Sequence, residues 1–282
     1  MPFLTVSASA EILMLIRSFG ISDVGKRREK NEDSYLVNDD LRLYAVADGM
    51  GGHLGGDIAS KLATDTLDEV VKALESDPDT TLQEGVSIKP GEYQGYLRYA
   101  IKLSSKRIFD RSRDESQLKG MGTTMVSILF RDNKVYIANV GDSRAYRIRD
   151  EEIVQVTKDH SLVGEQMRAG IMTEEEARGS RLKNIITRSV GFQEDVDADI
   201  DIRVVRQGDR YLLCSDGLSN LMEDGEIRDV VATNDLEKAA KRLVDLANER
   251  GGDDNITVIL AEVSELDEDV GATGSDDPTI EF

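Results

Sequence analysis

Four places in the chain set an aspartate against a glycine at the end of an apolar run. They are Asp48-Gly49, Gly141-Asp142, Asp216-Gly217 and Gly252-Asp253-Asp254. Taken singly, such pairs are often only turns. Carboxylates gathered from several of them would repel one another, and their pKa values would rise, unless a cation neutralised them. An all-oxygen ligand set suits hard ions, so Mg²⁺ or Mn²⁺ fits better than zinc or copper. The chain has two histidines, His53 and His160, which argues against a His-rich zinc site. Two hard ions side by side can share a carboxylate, activate the water between them and clamp a phosphoryl oxygen. A phosphate also needs a cation from the protein. Arg28, just ahead of Glu32 and Asp33, is the candidate, because a guanidinium grips phosphate oxygens in pairs. The same stretch, with Lys26, Arg27 and Lys30, also reads as a plain solvated loop.

The elements that must position these groups centre on residues 43–60. An apolar run at 43–47 reads as a buried strand that stops at Asp48. Five glycines follow between Gly49 and Gly56, where backbone without Cβ atoms can approach a ligand closely. A helix is expected over 57–74, with Ile58, Leu62 and Leu67 on one face, and a second over 93–113 packed in the same layer. Earlier, a strand is expected at 19–24. Later, residues 123–130, 134–140, 144–148 and 153–156 read as strands joined by tight turns. Short strands with such turns mean an antiparallel sheet, not a wound parallel one. Residues 158–191 are polar, glycine-punctuated and helical in patches at 162–169 and 173–178, which makes them a candidate flap. Residues 195–202 alternate Asp with Val, Ala or Ile, as a strand with one acidic, solvated face would. A buried strand at 211–215, an amphipathic helix at 236–248 and a last strand at 256–263 complete the order.

The formal charge is −20, from 35 basic and 55 acidic side chains, which excludes a nucleic-acid binder built on a basic face. Residues 264–282 contribute seven acids and no base, and read as a disordered tail. Residues 12–16 are apolar but too short to span a membrane, and no basic residue precedes them as in a signal peptide. They read as a first strand or as a leader ahead of one. A single cysteine, Cys214, permits no internal disulfide and is compatible with a reducing compartment. A cytoplasmic monomer is expected.

Six blocks in order carry a resemblance. They are Arg28-x-x-x-Glu32-Asp33, Asp48-Gly49-Met50-Gly51-Gly52-His53, Gly120-Met121-Gly122-Thr123-Thr124, Gly141-Asp142-Ser143-Arg144, Ser215-Asp216-Gly217-Leu218 and Gly252-Asp253-Asp254-Asn255-Ile256-Thr257. With them the chain resembles the metal-dependent protein phosphatases, the PPM or protein phosphatase 2C family, and within it the compact bacterial serine/threonine phosphatases. The resemblance implies an α+β fold, an α-β-β-α sandwich of two antiparallel sheets flanked by helices, over residues 19–263. Residues 1–18 would lead into it and 264–282 would trail it. It also implies roles. Asp48 would bridge two ions, with the Gly49 carbonyl on the second, and Asp216 and Asp254 would complete the first. Asp142 with Asp216 would hold a third, weaker ion. Glu32 and Asp33 would act through metal-bound water, and Arg28 would bind the substrate phosphate. The attack on phosphorus would come from a metal-activated water, with no phosphoenzyme. His53 could protonate the leaving oxygen, or only pack the glycine loop. Substrates would be phosphorylated proteins, including Ser/Thr kinases and their targets. Asp253 departs from many members, outside the ligand register.

Other phosphate chemistries fit poorly. A cysteine phosphatase needs Cys-x5-Arg, but Asn220 stands six places after Cys214. Asp197-Ala198-Asp199-Ile200-Asp201 lacks the hydroxyl or valine of an aspartyl-phosphate enzyme and the glycine of a calcium loop. Two alternatives remain: a phosphatase for a regulatory anti-sigma antagonist, and a module that binds phosphoproteins without turning them over.

Overall fold

The computed structural model describes residues 14–77, 82 and 86–266. Residues 1–13 and 267–282 lie outside the described residues, and with them most of the acidic tail expected at 264–282; its first three residues, 264–266, instead extend the last strand.

Two antiparallel sheets stack face to face. The first runs β1 (Met14–Asp23), β11 (Ile256–Leu266), β10 (Arg210–Cys214), β7 (Arg144–Arg149), β8 (Glu152–Gln155). The second runs β2 (Asp33–Asn38), β3 (Leu43–Met50), β5 (Met125–Arg131), β6 (Lys134–Val140), β9 (Asp199–Val204), with the short β4 (Gly122–Thr123) paired to the end of β3. Helices α1 (Gly52–Ser76) and α2 (Tyr93–Asp114) cover the second sheet; α6 (Asp224–Thr233) and α7 (Leu236–Glu249) cover the first. This is the four-layer sandwich expected.

Side-chain alternation explains the layering. In β3, Leu43 and Ala45 face the α1–α2 layer, whereas Tyr44 and Val46 enter the space between the sheets. In β11, Val258 and Leu260 face α7, whereas Ile259 and Ala261 face the other sheet. A strand buried on both faces must be apolar at every position, so these segments read as continuous apolar runs. Phe130 anchors the middle layer, edge-on to Tyr44 at 6.1 Å and to Tyr211 at 5.5 Å between ring centres. Helix α7 buries Leu236, Ala239, Ala240, Leu243, Val244 and Ala247, one face of a 3.6-residue repeat, and the Asp235 carboxylate caps it from the Lys238 N–H.

Three boundaries differ from the sequence expectation. Strand β1 starts at Met14 and absorbs the apolar residues at 14–16, with an irregularity between Leu15 and Ile16. Strand β9 starts only at Asp199, so residues 195–198 are not extended pairing partners. Helix α1 starts at Gly52, inside the glycine stretch, not at 57. The reason is packing: a Cβ on Gly55 would lie 2.6 Å from Met121, and one on Gly56 would lie 2.8 Å from the Glu32 carboxyl. Those glycines let a helix press against its neighbours, and they do not form an open phosphate-binding loop.

Candidate active site

Where the strands of both sheets end on one side, a cavity of about 710 Å³ opens. Arg28, Glu32, Asp48, Gly49, Asp142, Asp216 and Asp254 all line it. Seven of the nine site residues expected from sequence therefore meet at one place. Asp33 sits just beneath. It is partly buried and aligned with Asp48 across the β2–β3 pair. His53 falls in the first turn of α1, and its side chain lies outside the described residues.

Each acid is held by backbone that the fold fixes. The Asp48 N–H donates to Thr124 Oγ1 at 2.9 Å, and its carbonyl accepts from the Thr123 hydroxyl and the Thr124 N–H. Thr124 Oγ1 lies 2.7 Å from Ser143 Oγ, which ties the Asp48 strand end to the Gly141–Ser143 turn. The Gly141 N–H donates to His160 Nδ1, and the His160 N–H donates back to the Gly141 carbonyl. So His160 clamps the Asp142 turn to the base of the flap. Asn255 stitches the first loop to the last: its amide donates to the carbonyls of Val24 and Lys30, and its Oδ1 accepts from the Glu32 N–H. Arg28 donates to Asp254 Oδ2 at 2.7 Å and is half exposed at the cavity rim.

The electrostatics are those of a cation site. Burial, then repulsion from Asp33, Asp216, Asp142 and Asp254, pushes the Asp48 carboxyl far above the usual range. Burial raises Asp142 to about 8 and Asp216 to about 6, in each case reinforced by a neighbouring aspartate. Asp33 rises to about 7 through burial, although the hydroxyls of Thr257 and Ser215 donate to its Oδ2 at 2.6 and 2.8 Å and oppose the shift. Glu32 is raised by burial and by Asp57. Two buried carboxylate oxygens, Asp33 Oδ1 and Asp216 Oδ1, have no hydrogen-bond partner. Collecting buried acids with spare oxygens is costly unless a positive ion shares them. Oxygen-only donors fit Mg²⁺ or Mn²⁺. Among the described residues no three acid, histidine or cysteine side chains already close round one point.

The protein phosphatase 2C family model matches residues 17–256. The chain belongs to the protein phosphatase 2C family. Protein phosphatase PhpP of Streptococcus pneumoniae is 39% identical over 252 residues, covering 88% of this chain and 97% of that protein. Serine/threonine protein phosphatase PstP of Mycobacterium tuberculosis is 38% identical over 264 residues, 94% of this chain but 48% of that longer protein. Among solved structures, the catalytic domain of PstP in complex with two manganese ions superposes with a TM-score of 0.77 at 36% identity, over 90% of this chain and all of that one. Stp1 from Staphylococcus aureus superposes with a TM-score of 0.81 at 33% identity, over 93% of this chain and all of that one.

In this phosphatase 2C chain the single thiol is out of play. Cys214 is fully buried in the β10 strand, and burial pushes it up to about 12. The acidic run at 195–201 is not simply a solvated face. Asp199 lies 3.2 Å from His160 Nε2 and accepts from Arg188 at 2.6 Å, which holds its carboxyl far below the usual range. Residues 184–196, which overlap the expected flap at 158–191 only in part, form one wall of the cavity, through Asn184, Arg188, Phe192 and Val196 among others. Sequence reasoning assigned no role to Ser215, Thr257 or Asn255, although all three stand inside the motif blocks beside the acids. A hydroxyl or amide next to a ligand was the available signal.

Proposed function

We propose that this chain hydrolyses phosphoserine and phosphothreonine in proteins, using Mn²⁺ or Mg²⁺. The observation that carries the reading is the set of aspartates, buried or partly buried and mutually repelling, that line one cavity with a half-exposed arginine. Family membership, and relatives named serine/threonine phosphatases, support it. Asp48, Asp216, Asp254 and the Gly49 carbonyl would hold two ions, and Asp142 with Asp216 a third. When bound, such cations act as Lewis acids and make water nucleophilic near neutral pH. Arg28 reaches the rim on a loop fixed by Asn255 and would grip phosphate oxygens there. Asp33, held by two hydroxyls, is shaped to orient a water and to exchange a proton with it. Glu32 would act beside it. The phosphatase unit is proposed to span residues 19–263, with the flap at 158–191.

The test is hydrolysis of p-nitrophenyl phosphate and a phosphothreonine peptide by the purified chain, with Mn²⁺, Mg²⁺ or a chelator. Turnover that requires the ion supports the proposal. A chain that binds phosphopeptide but never releases phosphate would instead be a recognition module.

A further inference from the structure

Among the described phenylalanines, at 19, 109, 130 and 192, only Phe192 is exposed. Its side chain is 66% accessible, yet it lines the same cavity as the aspartates. Met50, Ile186 and Val196 line that cavity too, among polar neighbours. An aromatic left in water forgoes stabilisation that burial would give. Looseness of the chain does not explain it, because the backbone on both sides is fastened. The Gly191 N–H donates to Ser105 Oγ at 2.9 Å, and Ser105 Oγ donates to the Gln193 carbonyl at 2.8 Å. Val190 and Thr123 exchange two backbone hydrogen bonds at 2.8 and 2.9 Å. Gly191 has φ +92, and a Cβ there would run into Ile108, so only glycine fits this bend. A rigid turn thus presents one ring at the edge of the phosphate site. The charged residue on the same wall, Arg188, is engaged by the Asp199 carboxylate and the Asp197 carbonyl.

From this arrangement we infer that Phe192 determines specificity: it receives an apolar side chain of the phosphoprotein, close in sequence to the phosphorylated serine or threonine. The inference rests on the cavity being the phosphate site. A ring on fixed backbone loses little entropy on contact, which is how aromatic anchors give affinity. Met50 and Ile186, both half-buried at the cavity, extend the contact, and the phosphate, held at the acidic floor with Arg28, sets the register.

The test uses phosphothreonine peptides in which one leucine is walked through the positions flanking the phosphothreonine in an otherwise serine background. Full-length chain with Mn²⁺ is assayed for kcat/KM. At one position leucine should raise kcat/KM about tenfold over serine, the scale of discrimination an apolar pocket provides. Phe192→Ser should reduce that preference to less than about twofold, and Phe192→Leu should keep a substantial part of it. A wild-type profile flat at every position, or a preference that survives Phe192→Ser, would overturn the inference and leave the active-site reading intact. A wild-type chain that hydrolyses neither the peptides nor p-nitrophenyl phosphate would overturn both.

Discussion

Gly49 offers the sharpest test of how the site is built. It is the last but one residue of β3, follows the central aspartate and donates its N–H to the Glu32 carbonyl at 3.2 Å. A Cβ at this position would fall between the carbonyl oxygens of Gly56 and Glu32, both well inside the 3.0 Å that real Cβ atoms respect. Both obstacles are backbone, so no side chain can swing aside. Gly49→Ala must therefore part β3 from the start of α1 and from the Glu32 loop by roughly 1 Å, at a cost of about 1–3 kcal/mol. That movement carries the Asp48 carboxylate and the Gly49 carbonyl with it. Misplacement on this scale costs about a hundredfold in rate. Gly225 is the internal control, because a Cβ in that turn of α6 meets nothing within 4 Å. Gly225→Ala should leave activity alone and be neutral or stabilising by up to about 1 kcal/mol. Thermal melting and kcat for p-nitrophenyl phosphate, measured side by side with Mn²⁺, separate the two. If Gly49→Ala melts and turns over like wild type, the close approach of strand, helix and loop does not hold the aspartate in place.

Three further outcomes follow from the same geometry. Asp48→Asn should abolish turnover, yet raise the melting temperature of chelator-treated protein by at least about 2 °C, because one of the mutually repelling carboxylates is gone; equal or lower melting would contradict the repulsion. Asp33, Asp142 and Asp216 have folded pKa values above their usual 3.8, so the folded chain keeps protons that the unfolded chain releases. Their contribution is therefore fullest at low pH and is lost as pH rises from 3.8 through about 6, 7 and 8. The stabilisation given by saturating Mn²⁺ in differential scanning fluorimetry should thus be larger at about pH 8 than at about pH 6, and equal gains would refute it. Arg28→Ala should raise KM for a phosphopeptide about tenfold or more, with kcat less affected, since charge-assisted hydrogen bonds are lost; a change in kcat alone would remove Arg28 from phosphate binding.

The convergence of the acids was legible because they sit where apolar strands stop, and a strand end points its next residues at a shared edge. The layering was legible for a related reason: continuous apolar runs such as 43–47 need cover on both faces. Helix α1 was harder. Its first turn is glycine-rich, and propensity argues against a helix there, but close packing against Met121 and Glu32 outweighs that cost. The alternation at 195–202 suggested eight extended residues. Pairing to β6 begins only at Asp199, and Lys102 instead meets Asp195 at 3.1 Å. The partners of Ser215, Thr257 and His160 could not be read from sequence, because each touches residues far away in the chain. Thr257 donates to an acid 224 positions earlier.

Strand β1 pairs along its length with β11, the last described strand. Arg28 and Asp33 follow the former, and Asp254 immediately precedes the latter. During synthesis, a nascent polypeptide that has passed Asp216 but not yet Asn255 lacks the amide that fastens its own first loop. The acidic cavity can therefore close only after Asp254 and Asn255 have emerged, 226 positions beyond the arginine that Asp254 engages.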